Sequence, residues 1–428
     1  MTGPESCYHH RPGASRFSRP EEAFEGLRSG SRVFIEGGVG HPDSLIEPLM
    51  QKAARVGEIS IVTSLLGANP PYVGDELADR FKVTSFRGTT QSRSAILAGQ
   101  VDIVPANLSS IPYLLSGPLR PDIALLQVSL PDANGLCSLG ANLLYNKSAI
   151  TSATVKVAEV NPQMPWTYGN SLVPISAFDF AVLGDHPLPN APVTEPTGAE
   201  LKLAEMVVEL IPDGATIQMG IGSLPEAIAG KLCGLSNIRL HSGLLSDSVL
   251  AIAESGALRR GPASIVSGSF YGSRNLYDFI HRNPQVSLQT VEHTHSAEVI
   301  RDLQPFFSIN GALEVDLGGQ ANSEVLGGIP VSGAGGQGDF IRSALACEAG
   351  RSVVVLTSTT RDGRHSKIVR SLSYPGVVTS ARADADLVVT EFGVAELRGK
   401  GLNRRREALL SIAHPDFIPL LSKEGIQP

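Results

Sequence analysis

The sequence contains one structural unit twice, and this repetition constrains the fold more than any other feature. In each copy a short apolar run leads into a G-x-G loop, a proline and a helical segment follow, and a second apolar run comes next. The first copy spans residues 30–63 and the second spans 213–241. Strands that alternate with helices form parallel sheets covered by helices. The duplication therefore predicts an α/β protein with two similar domains.

Changes in composition predict where these domains begin and end. Residues 1–24 contain basic side chains but no apolar run, which predicts a flexible leader. We expect the first domain over 25–185 and the second over 201–428, because each range contains one copy of the unit. The intervening residues 186–200 contain four prolines without helical or strand periodicity, so they are predicted to be a linker.

Charge and cysteine content exclude several classes of protein. The chain has 35 Lys and Arg against 42 Asp and Glu, a formal net charge of −7. This acidic balance offers no basic surface for nucleic acid or an anionic membrane, and no apolar run approaches the ~18 residues of a membrane span. The four cysteines lie far apart without C-x-x-C spacing. We therefore expect no metal site and no disulfide framework, and predict a reduced, cytoplasmic setting.

Glycine-rich loops are the candidate ligand sites. The G-x-G loops at 38–40 and 220–222 precede predicted helices, so their backbone N–H groups could hold an oxyanion or a phosphate. Neither loop has the spacing of a dinucleotide-binding fingerprint, and tight-turn geometry is the alternative explanation. The densest glycine cluster, residues 332–338, would let a ligand approach the backbone closely; a mobile surface loop is the alternative there.

Several longer motifs resemble those of one enzyme family. They occupy residues 131–140, 161–165, 332–342, 357–363, 388–397 and 413–417. In these motifs the chain resembles the acetyl-CoA hydrolase/transferase family, which contains single-chain class I CoA-transferases of the 4-hydroxybutyrate CoA-transferase type. The resemblance covers about residues 25–420. It implies two similar class I CoA-transferase-like domains, mainly parallel sheets covered by helices, with the active site in the cleft between them.

The resemblance also implies the substrates. Coenzyme A would enter as an acyl-CoA substrate, bind largely on the second domain, and react with a carboxylate or another small-molecule acceptor without a metal. A homo-oligomer such as a dimer is expected. The residues implied to contact coenzyme A are Gly220, Ile221, Gly222, Ser223, Leu224, Ser332, Gly333, Gly335 and Gly336.

One position departs from the family pattern. Such enzymes carry a catalytic glutamate in a stretch resembling His-Thr-Glu, and its carboxylate first attacks the acyl-CoA carbonyl and then carries coenzyme A as a glutamyl thioester. The corresponding stretch here is His241-Ser242-Gly243, and no glutamate lies between Glu226 and Glu254. Because Gly243 has no side chain, we expect no glutamyl-CoA intermediate.

Three hypotheses about mechanism follow from Gly243. In the first, the space at Gly243 admits the substrate's own carboxylate or another nucleophile. In the second, another side chain supplies the base; in the third, the protein binds CoA esters without turnover. The candidate bases are Glu36, His41, His241 and Ser242, each of which has a structural alternative as a local cap, a core hydrogen bond or a turn. We predict an acyl-CoA-dependent transferase, with acyl-CoA hydrolysis or acyl transfer in a specialised pathway as the alternative.

Three further features are better explained by structure than by chemistry. Asp247 precedes a helical segment and is predicted to cap it rather than act as an acid. His365 and Ser366 are adjacent in a predicted turn, so we do not expect them to form a catalytic pair. The basic run at 398–406 could meet the phosphates of coenzyme A, but a solvated helix face is the preferred interpretation.

Overall fold

The strands of the protein form two large and mostly parallel sheets, one built mainly from each half of the chain. The structure is a computed structural model that describes residues 18–64, 70–74, 79–89, 91–192 and 194–423. The predicted α/β class, with mainly parallel sheets and helices, is confirmed.

The N-terminal sheet has seven strands in the order β10-β7-β5-β1-β2-β3-β4, and all neighbours are parallel. The strands and helices of this half are β1 (Arg32–Ile35), α1 (Asp43–Val56), β2 (Ile59–Thr63), β3 (Phe81–Ser85), α2 (Arg93–Leu97), β4 (Val101–Ile103), α3 (Ile111–Ser116), β5 (Ile123–Val128), β6 (Leu136–Ser138), α4 (Asn146–Ser152), β7 (Val155–Val160), β8 (Tyr168–Gly169), β9 (Leu172–Pro174) and β10 (Phe180–Leu183).

The C-terminal sheet has nine strands in the order β23-β22-β20-β15-β11-β12-β13-β14-β8, and only β22 and β23 pair antiparallel. The elements of this half are α5 (Gly198–Glu209), β11 (Thr216–Gln218), α6 (Ser223–Leu232), β12 (Arg239–Leu245), α7 (Ser248–Ser255), β13 (Ile265–Phe270), α8 (Arg274–Ile280), β14 (Val286–Leu288), α9 (Val291–Thr294), α10 (Ala297–Arg301), β15 (Phe306–Gly311), β16 (Glu314–Asp316), β17 (Ala321–Asn322), β18 (Val325–Leu326), β19 (Ile329–Pro330), α11 (Gln337–Leu345), β20 (Arg351–Val355), β21 (Ile368–Val369), β22 (Leu387–Thr390), β23 (Gly393–Glu396), α12 (Leu402–Ser411) and α13 (Ile418–Ser422).

The two copies of the repeated unit occupy equivalent places in their sheets. β1 pairs with β2, the next strand of its unit, and on its other side with β5; β11 pairs in the same way with β12 and β15. Each glycine loop therefore leaves its sheet where the strand order reverses. In open parallel sheets this point, outside the carboxyl ends of the strands, is where ligands bind.

The two halves are joined by more than the connecting segment. β8 comes from the first half but pairs with β14 at the edge of the second sheet. One apolar cluster also combines Val39 and Tyr145 of the first half with Ile217 and Leu245 of the second. Since burial of apolar surface stabilises the folded state, this shared core holds the two glycine loops in a fixed relation.

The predicted leader ends too late. Within it, Pro20–Phe24 forms a 3-10 helix whose Phe24 is fully buried in the apolar cluster of α1 and β2. Burying a phenylalanine is worth roughly 1.5–3 kcal/mol, which fixes this segment to the first half. Residues 18–24 therefore belong to the folded first half, and residues 1–17 lie outside the described part of the chain.

The predicted linker is anchored to the second half. The hydroxyl of Tyr277 donates to the carbonyl of Pro189 at 2.7 Å. The linker ends in α5, where Thr197 and Glu200 form a reciprocal capping box. In the described ranges no helix is long and apolar enough to cross a membrane, and no group of three or more His, Cys, Asp or Glu is placed to hold a metal ion.

Candidate active site

A cavity of about 200 Å³, here called the inner cavity, lies between the two halves. The first half contributes the loops after β1, β2 and β3 and the start of α4, and the second half contributes the ends of β11 and β12 and residues 332–337. A larger cavity of about 710 Å³, here called the large cavity, shares Arg87 with the inner one. The inner cavity lies where the family resemblance implies a cleft between the two domains.

The glycine cluster at 332–338 is wedged between the halves and is not a free surface loop. The backbone N–H of Gly88 donates to the carbonyl of Ser332 at 2.9 Å, and that of Leu108 donates to the carbonyl of Gly335 at 2.9 Å. A Cβ atom at Gly333 would lie 2.3 Å from a backbone oxygen of the first half. Glycine is therefore required here for the close approach of two backbones.

The predicted coenzyme A contacts are divided between the two cavities. Ile221 and Gly222 line the large cavity, while Ser223 and Leu224 line neither, and the Ser223 hydroxyl donates to Glu200 at 2.6 Å. Those that line the inner cavity are Gly220, Ser332, Gly333, Gly335 and Gly336.

The side-chain space at Gly243 is filled by His295. A Cβ atom at Gly243 would lie 2.9 Å from Cε1 and 3.0 Å from Nε2 of the His295 ring. A Cβ atom at Gly336 would lie only 2.3 Å from the same Nε2. The first of the three hypotheses, in which the space at Gly243 admits a nucleophile, conflicts with this packing, because an imidazole lies between these two glycines.

The hydrogen bonds around His295 favour one tautomer of its ring. Its Nδ1 lies 2.8 Å from the hydroxyl oxygen of Thr294, and that hydroxyl donates to the carbonyl of Thr290 at 3.2 Å. A hydroxyl that donates its one proton to a carbonyl can only accept a hydrogen bond from Nδ1. We therefore assign the proton of His295 to Nδ1. Nε2 then carries the lone pair, and it has no hydrogen-bond partner among the described residues.

Burial keeps the His295 ring neutral. The residue is 4% exposed, and its ring lies against Phe340 with the ring centroids 4.4 Å apart. This burial, with a smaller effect of nearby His241, lowers the pKa of His295 to about 3. A neutral imidazole with an unpaired, buried Nε2 thus stands in the wall of the inner cavity.

Sequence analysis did not identify His295. The residue lies just beyond α9, in a segment far from β12 along the chain, and no pattern in the sequence predicts that the two meet. The available signal was the pair His293 and His295 within a short polar segment. Only the packing of α9 on β12 brings the second histidine to Gly243.

Glu36 lies behind the cavity wall and is fully buried. Its carboxylate accepts hydrogen bonds from the backbone N–H of Gln127 at 3.0 Å and from the side-chain amides of Asn142 and Asn146 at 2.9 and 2.6 Å. Burial raises the pKa of Glu36 well above its usual range. Because Asn142 and Asn146 line the inner cavity and Glu36 does not, the carboxylate touches the cavity only through these two amides.

The two predicted histidine bases also lie outside both cavities. His41 Nδ1 is 2.5 Å from a carboxylate oxygen of Asp43, beside α1. His241 Nε2 donates to the carbonyl of Thr294 at 2.8 Å, and burial lowers its pKa to about 4. His241 thus fixes the backbone next to His295.

Ser242 is the only one of the four predicted bases that lines the inner cavity. Its hydroxyl donates to the carbonyl of Met219 at 2.6 Å, so its proton is already engaged. Asp247 does stand at the start of α7, but it makes no capping bond there. Its carboxylate instead accepts from the backbone and the hydroxyl of Ser273 at 2.8 and 2.6 Å, which joins two loops.

The basic run at the end of the chain serves the fold of the second half. Arg398 lies 3.3 Å from a carboxylate oxygen of Asp386, and Arg405 donates to the carbonyl of Gly318 at 3.2 Å. Neither arginine lines either cavity, and neither does the pair at 365–366. The preferred interpretation of a solvated helix face is therefore too simple, since Arg405 is tied to backbone carbonyls.

The inner cavity holds no carboxylate among its described lining residues. Its titratable side chains are Arg87, Tyr145 and His295. Nε of Arg87 has no hydrogen-bond partner within the described part of the chain, and burial lowers the pKa of this guanidinium. Burial raises the pKa of Tyr145 to about 12. The cavity thus offers one cationic group and one neutral base.

Comparison with known proteins agrees with this architecture. The acetyl-CoA hydrolase/transferase N-terminal domain matches residues 9–192, and the C-terminal domain matches 272–425. The 4-hydroxybutyrate coenzyme A transferase of Clostridium kluyveri is 35% identical over 410 residues, which cover 94% of this chain and 96% of that protein. The succinyl-CoA:cyclohexane-1-carboxylate CoA transferase of Geobacter metallireducens is 33% identical, covering 93% and 92%.

Solved structures agree as well. RipA from Yersinia pestis superposes with a TM-score of 0.90 at 29% identity, covering 98% of each chain. Two linked, mainly parallel α/β halves with a cleft between them define an enzyme of the CoA-transferase type. The chain belongs to the acetyl-CoA hydrolase/transferase family, as its motifs predict.

Proposed function

We propose that the protein is an acyl-CoA-dependent transferase that passes the acyl group directly to an acceptor, without a glutamyl-CoA intermediate. The observation that carries this proposal is that the His295 ring fills the space in front of Gly243, where the family resemblance implies a catalytic carboxylate. A covalent route through an anhydride and a thioester needs a carboxylate at the thioester carbonyl. None of the described residues that line the inner cavity is an aspartate or a glutamate.

We place the thioester end of acyl-CoA in the inner cavity and the rest of the molecule in the large one. The inner cavity, at about 200 Å³, suits a small reacting group, and the large cavity has about 710 Å³. Arg87 lines both, and a buried guanidinium with an unpaired nitrogen favours an anionic group. We propose that Arg87 binds an anion at this junction, either a phosphate of coenzyme A or a carboxylate of the reactants.

Mass spectrometry of the intact protein tests the proposal. The enzyme is incubated with acyl-CoA, with and without borohydride, while thiol release is followed in parallel. We expect thiol release that depends on the acceptor, and no covalent adduct. A coenzyme A adduct that borohydride removes would contradict the proposal. Binding of acyl-CoA without thiol release for any acceptor would instead support a non-catalytic CoA-ester-binding protein.

Hydrolysis is the second candidate function, since water is the smallest acceptor that the inner cavity admits. Thiol release at the same rate with and without added acceptor would favour it. A homo-oligomeric state and a cytoplasmic location remain predictions from the sequence. Size-exclusion chromatography with light scattering tests the first of these.

A further inference from the structure

We infer that His295 is the catalytic base of this site and that the acceptor is a neutral O–H or N–H compound rather than a carboxylate. Nε2 of His295 is an unpaired nitrogen in the wall of the inner cavity, beside the two glycines at 243 and 336. The inference rests on the proposed function, because it requires the acyl-CoA thioester to enter the same cavity.

The ring is held in one orientation by its surroundings. Thr294 and the carbonyl of Thr290 form a short relay behind Nδ1. Phe340 covers one side of the ring, and Nε2 lies between Gly243 and Gly336, whose missing side chains make room for it. A base whose second nitrogen is fixed by a hydrogen bond keeps the tautomer that accepts a proton.

The charged and titratable groups around His295 leave its lone pair free. His241, on β12, engages the carbonyl of Thr294 through Nε2, and His293 precedes the site on α9. On α11, the carboxylate of Asp339 is bound by Ser109. None of these groups hydrogen-bonds to Nε2 of His295.

The reaction that this geometry supports is balanced in two steps. The oxygen or nitrogen of the acceptor bonds to the thioester carbonyl carbon while its proton moves to Nε2 of His295. The carbon–sulfur bond then breaks, and the proton moves from Nε2 to the coenzyme A thiolate, which leaves as the thiol. The negative charge on the carbonyl oxygen pairs with the imidazolium in between.

The nature of the base selects the acceptor. A carboxylate has no proton to give at neutral pH, so a neutral base at this position brings it no advantage. A hydroxyl, an amine or water must lose a proton as it attacks, and a positioned base accepts that proton. Because burial lowers the pKa of His295 to about 3, we expect an acceleration at the lower end of the roughly 10²–10⁴-fold range of such bases. We therefore expect esters, amides or hydrolysis products, and no exchange of coenzyme A between two carboxylates.

Replacement of His295 by glutamine tests the assignment. We expect His295→Gln to lower kcat by roughly 10²-fold, with KM for acyl-CoA changed by less than about threefold. His293→Gln is the matched control, because this neighbouring histidine lines neither cavity, and it should retain the wild-type rate. His295→Ala should regain part of its activity with added imidazole. Wild-type rates in His295→Gln, or no rescue in a folded His295→Ala, would overturn the inference.

The acceptor screen separates the inference from the proposed function. Alcohols, amines, water and short carboxylates are compared with the same acyl-CoA, and both products and protein adducts are measured. Turnover with carboxylates alone and no adduct would overturn the inference but leave direct transfer standing. A glutamyl-CoA adduct would overturn the proposed function itself.

Discussion

The two halves place different buried polar groups beside the inner cavity. In the first half, Glu36 follows β1, is fully buried, and accepts hydrogen bonds from three N–H groups. In the second half, the ring of His295 lies in the space before Gly243 of β12. The first group has its partners, whereas Nε2 of the second has none among the described residues.

From this difference we infer that Glu36 has a structural role and His295 a catalytic one. Leaving a buried polar atom without a partner costs about 1–3 kcal/mol, so a folded protein keeps such atoms mainly where a ligand will supply the bond. Titratable groups in a cleft are also candidates for function when their pKa is strongly shifted. Glu36 has its bonds within the protein and holds the cavity wall, while His295 is free to bond with a substrate.

The largest expected effect comes from placing a glutamate at position 243 and removing the histidine ring at 295. Gly243→Glu alone should give no coenzyme A adduct, because its side chain would enter the space that the His295 ring occupies. The double variant Gly243→Glu with His295→Ala removes that obstacle, and we expect it to form a glutamyl-CoA adduct when incubated with acyl-CoA. Intact-protein mass spectrometry measures both variants.

The single variant His295→Ala is the control for this experiment. It should form no adduct, since none of the described residues that line the inner cavity is an aspartate or a glutamate. An adduct in Gly243→Glu alone would show that the ring moves aside readily. No adduct in a folded double variant would mean that the second half has lost more of the covalent route than one residue.

Glu36→Gln should reduce stability by about 2–3 kcal/mol. A glutamine side chain has one oxygen and an NH₂ group, so it cannot accept from Gln127, Asn142 and Asn146 together. Urea unfolding measures the loss, with the exposed Glu25→Gln as the matched control. Abolished turnover with unchanged stability would instead support Glu36 as a base, as one sequence hypothesis has it.

The sequence predicts the repeated scaffold better than it predicts the site. The second apolar run of the first copy forms β2 (Ile59–Thr63), because a parallel strand buried on both faces is a continuous apolar run. His295 could not be found, since its place depends on a contact between two segments distant along the chain. Asp247 shows the same limit. Its position at the start of a helix can be predicted from the residues next to it, whereas its hydrogen bond to Ser273 depends on a contact with another segment of the chain.

Gly336→Ala should lower kcat by about 100-fold while the protein remains folded. The added methyl group would lie 2.3 Å from Nε2 of His295, so the ring must turn away from the cavity. Gly230→Ala in α6 is the matched control, because its methyl group would meet nothing within 4 Å. Steady-state thiol release measures both, and equal rates would show that the position of the ring does not limit turnover.

The smallest expected effect is on the pH dependence of stability, to which the buried histidines of the second half contribute. Burial lowers the pKa of His295 to about 3 and that of His241 to about 4, whereas an unfolded histidine titrates near 6.5. The unfolded chain therefore binds more protons between these values, and stability is lost as pH falls through this window. From pH 7 to pH 5 we expect a loss of about 2 kcal/mol for each histidine, measured by urea unfolding. His295→Gln should remove one such contribution. Glu36→Gln should leave both and remove the opposite contribution of Glu36, whose raised pKa makes the folded chain bind more protons as pH falls. An equal slope in His295→Gln would show that this ring is not held neutral by burial.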